Sequence, residues 1–130
     1  MLAGACLVVC AGTATTIDLL DATGVFRGGL ILPGFDLMRT ALAHNTAQLP
    51  LAEGLFRAEP RNTLDAIFSG CLQAQLGAVE RMFAGIAAEP DARCLLTGGG
   101  AGSLAAHLKV PCQLVDNLIL NGLARFAASP

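Results

Sequence analysis

The residues best suited to bind phosphate lie in a short glycine-containing segment near the start of the chain, Cys10–Asp18 (CAGTATTID). Gly12 has no side chain, so a phosphate group could come close to the backbone there. The hydroxyls of Thr13, Thr15 and Thr16 are hydrogen-bond donors that suit phosphate oxygens. The same composition also fits a plain hairpin turn between two strands that contain threonine. The segment therefore predicts either a phosphate-binding turn or an ordinary one.

A second glycine segment, Leu96–Ala101 (LTGGGA), lies between a predicted strand and a predicted helix. It contains Gly98 and Gly99, and the helix N-terminus that follows offers free N–H groups and a partial positive charge. A tight strand-to-helix connection is the alternative interpretation. Two such turns at the ends of adjacent strands favour a nucleotide site more than either turn does alone.

The pattern of apolar and turn residues predicts three strands in an antiparallel meander, followed by helices and strands in alternation. The alternation indicates parallel strands joined by crossover helices. This order is that of a ribonuclease-H-like α/β domain, and we expect a single domain over residues 1–130. The predicted strands are Ala5–Val9, Thr15–Leu20, Gly24–Leu32, Arg93–Leu96 and Cys112–Val115; the predicted helices are one around Leu37–Leu42, then Thr63–Ala88, Ala101–Leu108 and Leu118–Ala128.

The longest predicted helix, Thr63–Ala88, has apolar residues at the i, i+3, i+4 spacing of a buried helix face. Asn62 is a good N-cap, and Asp65 three residues later completes a variant of the capping box. The helix also carries a second stripe of small residues that would let another backbone come close. We expect either a helix contact between subunits or ordinary core packing along this stripe, which consists of Ala66, Gly70, Ala74 and Gly77.

The composition describes one hydrophobic domain. The chain has 130 residues, a formal net charge of −2, 54% hydrophobic and 14% charged residues, and a mean hydropathy of +0.61. This is more apolar side chain than a lone domain usually buries, so we expect some of the surface to contact a partner. The eight basic residues form no run and have no aromatic platform beside them. Nucleic-acid binding is therefore not expected.

The first charge-free stretch, Met1–Ile17, is shorter than the roughly 20 apolar residues that a membrane helix needs. No basic residue precedes it, so a secretion signal is not expected either, and the chain is predicted to be cytoplasmic. The five cysteines are an odd number without an export signal, which favours reduced thiols. His44 and His107 do not have zinc-site spacing with any cysteine, so no metal site is predicted.

The residues from Val8 through Thr63 (VVCAGTATTIDLLDATGVFRGGLILPGFDLMRTALAHNTAQLP, then PRNT), together with the later TGG and NGL, resemble a known family. They are similar to the C-terminal half of type III pantothenate kinases, and within that family to the branch called Bvg accessory factor. The resemblance spans nearly the whole chain. It implies a domain of the acetate-kinase, sugar-kinase, Hsp70 and actin superfamily, one half of a two-domain kinase.

The activity that this resemblance implies is ATP-dependent phosphorylation of pantothenate to 4′-phosphopantothenate, the first step of coenzyme A synthesis. It further implies a homodimer with the pantothenate pocket at the subunit interface. Gly12 and Thr13 match the family's second phosphate-contacting turn, and Gly98 and Gly99 of the TGG segment are also predicted to bind ATP. Thr63 matches a pantothenate-contacting threonine, although without the family a plain helix-start residue would be the simpler interpretation.

The chain also departs from the family pattern. Cys10 occupies the place of an aspartate that binds potassium or ammonium in most members, and a neutral thiol is a poor ligand for such a hard cation. Asp18 keeps its acidic place, where we expect structural or electrostatic support. The family's first phosphate loop and the segment holding its proposed proton acceptor belong to the N-terminal half and have no counterpart here. The catalytic base is therefore unknown in this chain, and neither His44 nor His107 is a good candidate for it.

Two functions from different classes remain open at this point. The chain is either the substrate-binding and dimer-forming half of a pantothenate kinase, inactive alone because phosphoryl transfer needs both sides of the nucleotide, or a non-catalytic accessory or regulatory module. In the first case its partners are pantothenate, a second copy of the chain and a protein that supplies the N-terminal half.

Overall fold

The structure of the protein is a computed structural model that describes residues 4–45 and 53–116. Within these residues, five strands and three helices form the order β1-β2-β3-α1-α2-β4-α3-β5, a mixed α/β domain. The strands are β1 (Cys6–Ala11), β2 (Ala14–Leu20), β3 (Phe26–Pro33), β4 (Arg93–Thr97) and β5 (Cys112–Leu114); the helices are α1 (Phe35–Asn45), α2 (Thr63–Ala84) and α3 (Ala101–Ala105).

The five strands form one sheet in the order β3-β2-β1-β4-β5, with β1 in the centre. β1, β2 and β3 are antiparallel neighbours, whereas β4 runs parallel to β1 and β5 runs parallel to β4. The predicted meander and the predicted parallel strands are both confirmed. The last register pair between β1 and β4 joins Cys10 to Thr97, so the carboxyl ends of these two strands lie side by side.

The core lies between one face of the sheet and the helices α2 and α3. β1 is a nearly continuous apolar run, as expected for a central strand that has neighbours on both sides. The apolar face of α2 repeats every three to four residues and packs on it. The larger core side chains are Leu7, Val9, Ile17, Cys94 and Leu96 from the sheet, and Leu72, Leu76, Val79, Phe83 and Leu104 from the helices.

Two helices are shorter than the sequence predicts. α2 ends at Ala84 rather than Ala88, because Gly85 closes the last turn with a short-range bond from its N–H to the Met82 carbonyl. α3 ends at Ala105 rather than Leu108, where the N–H groups of both His107 and Leu108 share the Leu104 carbonyl. Such shared bonds tighten a helix end, and apolar periodicity alone does not reveal them.

The small-residue stripe of α2 is exposed. A side chain added at Gly70 or Gly77 would meet no atom within 4 Å, and Ala66 and Ala74 also face solvent. The expectation of ordinary core packing along this stripe is therefore wrong for the described residues. The stripe lies opposite the face of α2 that packs on the sheet, and its glycines weaken the helix without filling any close contact inside the domain.

Some expectations lie outside the described residues. One of them is the predicted helix Leu118–Ala128. Among the helices that are described, none is both long enough and apolar enough to cross a membrane.

The glycine turn after β4 supplies a test of the fold. Gly98 has a φ of +96°, and an added Cβ would lie 2.5 Å from the carbonyl oxygen of Ala11, whereas one at Gly99 would meet nothing within 4 Å. We expect Gly98→Ala to lower the free energy of unfolding by about 1–3 kcal/mol. Gly99→Ala is the matched control and should change it by less than about 0.5 kcal/mol. Urea unfolding followed by circular dichroism measures both, and equal effects would contradict this account of the turn.

Candidate nucleotide site

The two glycine turns meet at one edge of the sheet, and Gly34, which follows β3, contacts the first of them. The N–H of Gly100 donates to the carbonyl oxygen of Ala11 at 3.0 Å, which ties the turn after β4 to the end of β1. The N–H of Gly34 donates to the carbonyl oxygen of Thr13 at 2.8 Å, which ties the end of β3 to the turn after β1. A Cβ at Gly34 would collide with the carbonyl oxygen of Gly12, so this close approach requires glycine.

A cavity of about 700 Å³ opens where these turns meet. Its volume lies within the range of small-molecule and cofactor sites, roughly 300–1,000 Å³. The wall combines the two turns with residues of α1, α2 and α3. The lining residues are Ala11, Gly12, Thr13, Thr15, Phe35, Asp36, Leu37, Arg39, Thr40, Glu53, Leu72, Gln75, Gly99, Gly100, Ser103 and Leu104.

Three of the residues predicted to contact nucleotide line this cavity together. Gly12 and Thr13 come from the first turn and Gly99 from the second, so the structure brings the two turns into one site. Gly98 is not among the lining residues; its left-handed backbone and its contact with Ala11 give it a conformational part in the turn. Thr63 is also absent from the cavity wall.

The three threonine hydroxyls near the first turn have different environments. Thr13 is exposed at the turn itself and lines the cavity. Thr15 is buried, and its hydroxyl donates to Oε1 of Gln75 at 2.5 Å, so the expectation that it is a donor for phosphate is wrong in this structure. Thr16 pairs with Cys10 on β1 and lies outside the cavity wall. Of these three threonines, only Thr13 presents a hydroxyl suited to a ligand.

Gln75 also lines the cavity, although the sequence pattern did not predict it as a site residue. It is only 1% exposed, and its Nε2 donates to the carbonyl oxygen of Pro33 at 2.7 Å and contacts Sδ of Met38 at 3.4 Å. A signal was present in the sequence, because this amide interrupts the apolar face of α2 between Leu72 and Leu76. A polar side chain in such a position must find buried partners.

Arg39 is the one basic side chain among the described lining residues. Its guanidinium carbon lies 5.3 Å from the ring centre of Phe35 and 5.5 Å from that of Phe68, and the two rings meet edge to face at 5.1 Å. The side chain is 13% exposed and lies 3.5 Å from the exposed carboxylate of Asp36. The rings hold a permanent positive charge at the cavity wall, where it suits an oxyanion.

Thr63 begins α2 at some distance from the cavity. At a rise of 1.5 Å per residue, it lies about 18 Å along the helix axis from Gln75. Asn62 is the N-cap, and its side chain accepts from the N–H of Asp65 at 2.9 Å, which confirms the predicted helix start. The carboxylate of Asp65 in turn accepts from the N–H of Leu55 at 2.8 Å and from the Asn62 amide at 2.9 Å.

The residues considered for a cation do not form a metal site. Cys10 lies two residues before Gly12 and pairs with Thr16 on β2 and Thr97 on β4. A thiol there does not match the oxygen ligands that a hard cation prefers. Asp18 lies further along β2, next to Gly29. Across residues 4–45 and 53–116, no group of three or more histidine, cysteine, aspartate or glutamate side chains could hold a metal ion.

The five cysteines are free thiols, and three of them are held in their neutral form. Burial raises the pKa of Cys6 and of Cys71, and burial with the nearby Cys112 and Cys6 thiols raises the pKa of Cys94 to about 12. Thiols of this kind are poor nucleophiles. His107 packs its ring against Phe56 with centres 4.3 Å apart and does not line the cavity.

The donor set of the cavity fits the phosphates of a nucleotide. The exposed Thr13 hydroxyl, the Ser103 hydroxyl and the Arg39 guanidinium are all donors to oxyanions, and glycine leaves room for close approach at Gly12 and Gly99. The sheet order is that of a domain of the acetate-kinase, sugar-kinase, Hsp70 and actin superfamily.

Comparison with known proteins identifies the family. The family model for type III pantothenate kinase matches residues 1–85. The chain is 65% identical over 120 residues to the type III pantothenate kinase of Aromatoleum aromaticum (92% of this chain, 50% of that protein) and 60% identical over 126 residues to that of Azoarcus sp. strain BH72 (97% and 48%). The chain belongs to the type III pantothenate kinase family. It spans about half the length of these curated relatives.

A solved structure shows the same fold. The crystal structure of a Baf family protein from Campylobacter jejuni matches with a TM-score of 0.72 at 26% sequence identity. The match covers 96% of this chain and 57% of the other.

The start of α2 should respond to acid through Asp65. The hydrogen bonds from the Leu55 N–H and the Asn62 side chain lower the pKa of this carboxyl below its ordinary value of 3.8. A lowered pKa adds stability above the ordinary value, and that stability is lost as the pH falls through the folded-state pKa. We expect Asp65→Asn to be less stable than wild type at pH 6, with the difference shrinking below about pH 4. Urea unfolding at both pH values measures it, and a constant difference would contradict this role.

Proposed function

We propose that the chain supplies one half of the nucleotide site of a type III pantothenate kinase, which transfers a phosphoryl group from ATP to pantothenate and forms 4′-phosphopantothenate. The observation that carries this proposal is the cavity lined by both glycine turns in a chain of this family. Two turns that come from separate strands and meet at one cavity are suited to a ligand with several phosphate groups.

The residues of this chain would act by binding and orienting. ATP supplies the phosphoryl group, and phosphoryl transfer is catalysed mostly by positioning and electrostatic stabilisation. Thr13 is the exposed hydroxyl donor of the first turn, and Arg39 adds a positive charge to the cavity wall. The catalytic base is assigned to no residue of this chain; it would come from the other half of the kinase.

The position of Thr63 supports a substrate site shared between subunits. Thr63 is exposed, and it lies about 18 Å along α2 from Gln75 at the cavity of its own chain. A pantothenate held by Thr63 would therefore receive its phosphoryl group at another subunit's nucleotide site more easily than at its own. We propose a homodimer in which each copy contributes Thr63 to the partner's active site.

The surface proposed for this dimer is the groove between α1 and α2. This groove has a volume of about 490 Å³ and is lined by Pro33, Leu37, Met38, Ala41, Leu42, Gly70, Cys71 and Ala74. It therefore includes two members of the exposed small-residue stripe of α2. Leu37 and Leu42 are themselves 44% and 40% exposed, so the groove presents apolar surface to solvent. Small residues beside exposed leucines allow a second helix to pack closely.

We propose that nucleotide binding by this chain does not depend on a monovalent cation. Relatives with an aspartate at the position of Cys10 are expected to use potassium or ammonium, whereas this chain offers a thiol there. We therefore expect nucleotide binding by this chain to be the same in potassium and in sodium buffers.

The proposed function is tested by ADP release. We expect the 130-residue chain to release no ADP from ATP and pantothenate alone, and to do so when the N-terminal half of a related kinase is added. Thr13→Val should lower the restored kcat/KM by at least about tenfold, because it removes the exposed donor at the turn. Thr16→Val is the matched control and should leave it within about twofold.

The outcomes of this assay separate the two functions. Turnover by the chain alone would mean that a residue of this half supplies the base. Failure to restore activity with the added half, under conditions where that half is folded, would favour the alternative of a non-catalytic accessory or regulatory module.

The dimer surface is tested by placing a charge in the groove. Gly70→Glu puts a carboxylate at the exposed mouth of the groove, where an added Cβ meets no atom within 4 Å, so the monomer should fold normally. Burial of that charge between two copies should weaken dimerisation by at least about tenfold. Gly102→Glu is the matched control, since Gly102 also has open space around it and lies outside the groove. Sedimentation velocity measures both variants, and an unchanged dimer for Gly70→Glu would exclude this surface.

A further inference from the structure

We propose that Gln75 is a positioning residue that sets how tightly the Gly12–Thr13 turn binds phosphate, a role that rests on the proposed function. Gln75 lines the cavity but is only 1% exposed, so we assign its effect to the backbone that it holds next to Thr13 rather than to direct recognition of a ligand. Its contacts join three separate parts of the chain: the start of β2, the end of β3 and the middle of α2.

The two hydrogen bonds of the Gln75 amide reach the turn by two routes, one through β2 and one through β3. On β2, Thr15 follows Thr13 by two residues and donates its hydroxyl to Oε1 at 2.5 Å. At the end of β3, the carbonyl oxygen of Pro33 accepts from Nε2, and the neighbouring Gly34 donates its N–H to the carbonyl oxygen of Thr13 at 2.8 Å. The backbone of Thr13 is therefore tied to α2 by two short paths that end in the same side chain.

The orientation of the amide follows from its partners. The carbonyl oxygen of Pro33 can only accept a hydrogen bond, so Nε2 must face it, and Oε1 is then left to accept from the Thr15 hydroxyl. Each polar atom of this group has a partner, and no buried side-chain N or O atom in the described residues lacks one. The geometry therefore admits one arrangement of the turn relative to α2.

Because the link is buried, its loss should displace the turn more than the loss of two solvent-exposed hydrogen bonds would. Gln75 and Thr15 are each 1% exposed, so removing one partner leaves a polar atom of the other with little access to solvent. A methionine at position 75 would fill nearly the same volume without the amide, so packing alone does not require glutamine there. What the amide adds is a fixed position for the turn. A small displacement of phosphate donors is costly in a site of this kind.

The test compares a ligand that has phosphates with one that lacks them. We expect Gln75→Met to weaken ATP binding to the 130-residue chain by about tenfold, while adenosine binding stays within about twofold. A purely structural part for Gln75 would lower stability and alter both affinities together or neither. Gln113→Met is the matched control, because Gln113 is exposed on β5 and outside the cavity, and it should change neither affinity. Isothermal calorimetry measures the dissociation constants.

A second variant and a wild-type measurement keep the proposal open to refutation if Gln75→Met does not fold. Thr15→Val removes the same link from the other end and should give the same selective loss for ATP. In wild type, the side-chain amide signal of Gln75 in an NMR spectrum should shift on addition of ATP and not on addition of adenosine.

The possible results distinguish this inference from the proposed function. If wild type binds no ATP even when the N-terminal half of a related kinase is added, the proposed function fails and this inference fails with it. If wild type binds ATP but the variants lose ATP and adenosine affinity equally, or lose neither, Gln75 is not a positioning residue and the proposed function stands.

Discussion

The parallel pairing of β1 with β4 is the constraint on which the site depends. It places Cys10 beside Thr97, so the turns that follow these strands come together at one edge of the sheet. The turn at Gly98 then approaches the Ala11 carbonyl too closely for any side chain, and the Gly100 N–H bonds to the same oxygen. Without this pairing, each turn would be an isolated loop, and the cavity between them would have no wall.

α2 takes part in all three contacts proposed for the chain. Its first residue is the threonine proposed to contact pantothenate, its middle carries the glutamine proposed to position the phosphate turn, and its exposed stripe borders the proposed dimer groove. On these proposals, one helix links the nucleotide, substrate and subunit contacts. This explains why its outer face can keep glycines that weaken a helix: close approach of a second copy would offset their cost of about 1 kcal/mol each.

The antiparallel meander, the presence of parallel strands and the two glycine turns are predictable from the sequence because they depend on local patterns of apolar and turn residues. The helix ends at Ala84 and Ala105 are not, since shared backbone bonds decide them. The hydroxyl of Thr15 was expected to be a phosphate donor because strand periodicity does not reveal its partner, which lies 60 residues away. The same long-range pair hid the importance of Gln75.

The order of the strands also bears on how the domain folds. The β1-β2-β3 meander joins neighbours in the sequence and can form early, whereas the β1–β4 ladder must close a long loop that contains both α1 and α2. The hairpin that carries Gly12 can thus exist before the binding cavity does. A ligand held by both turns recognises only the fully assembled domain, and it therefore stabilises the last stage of folding and slows the first step of unfolding.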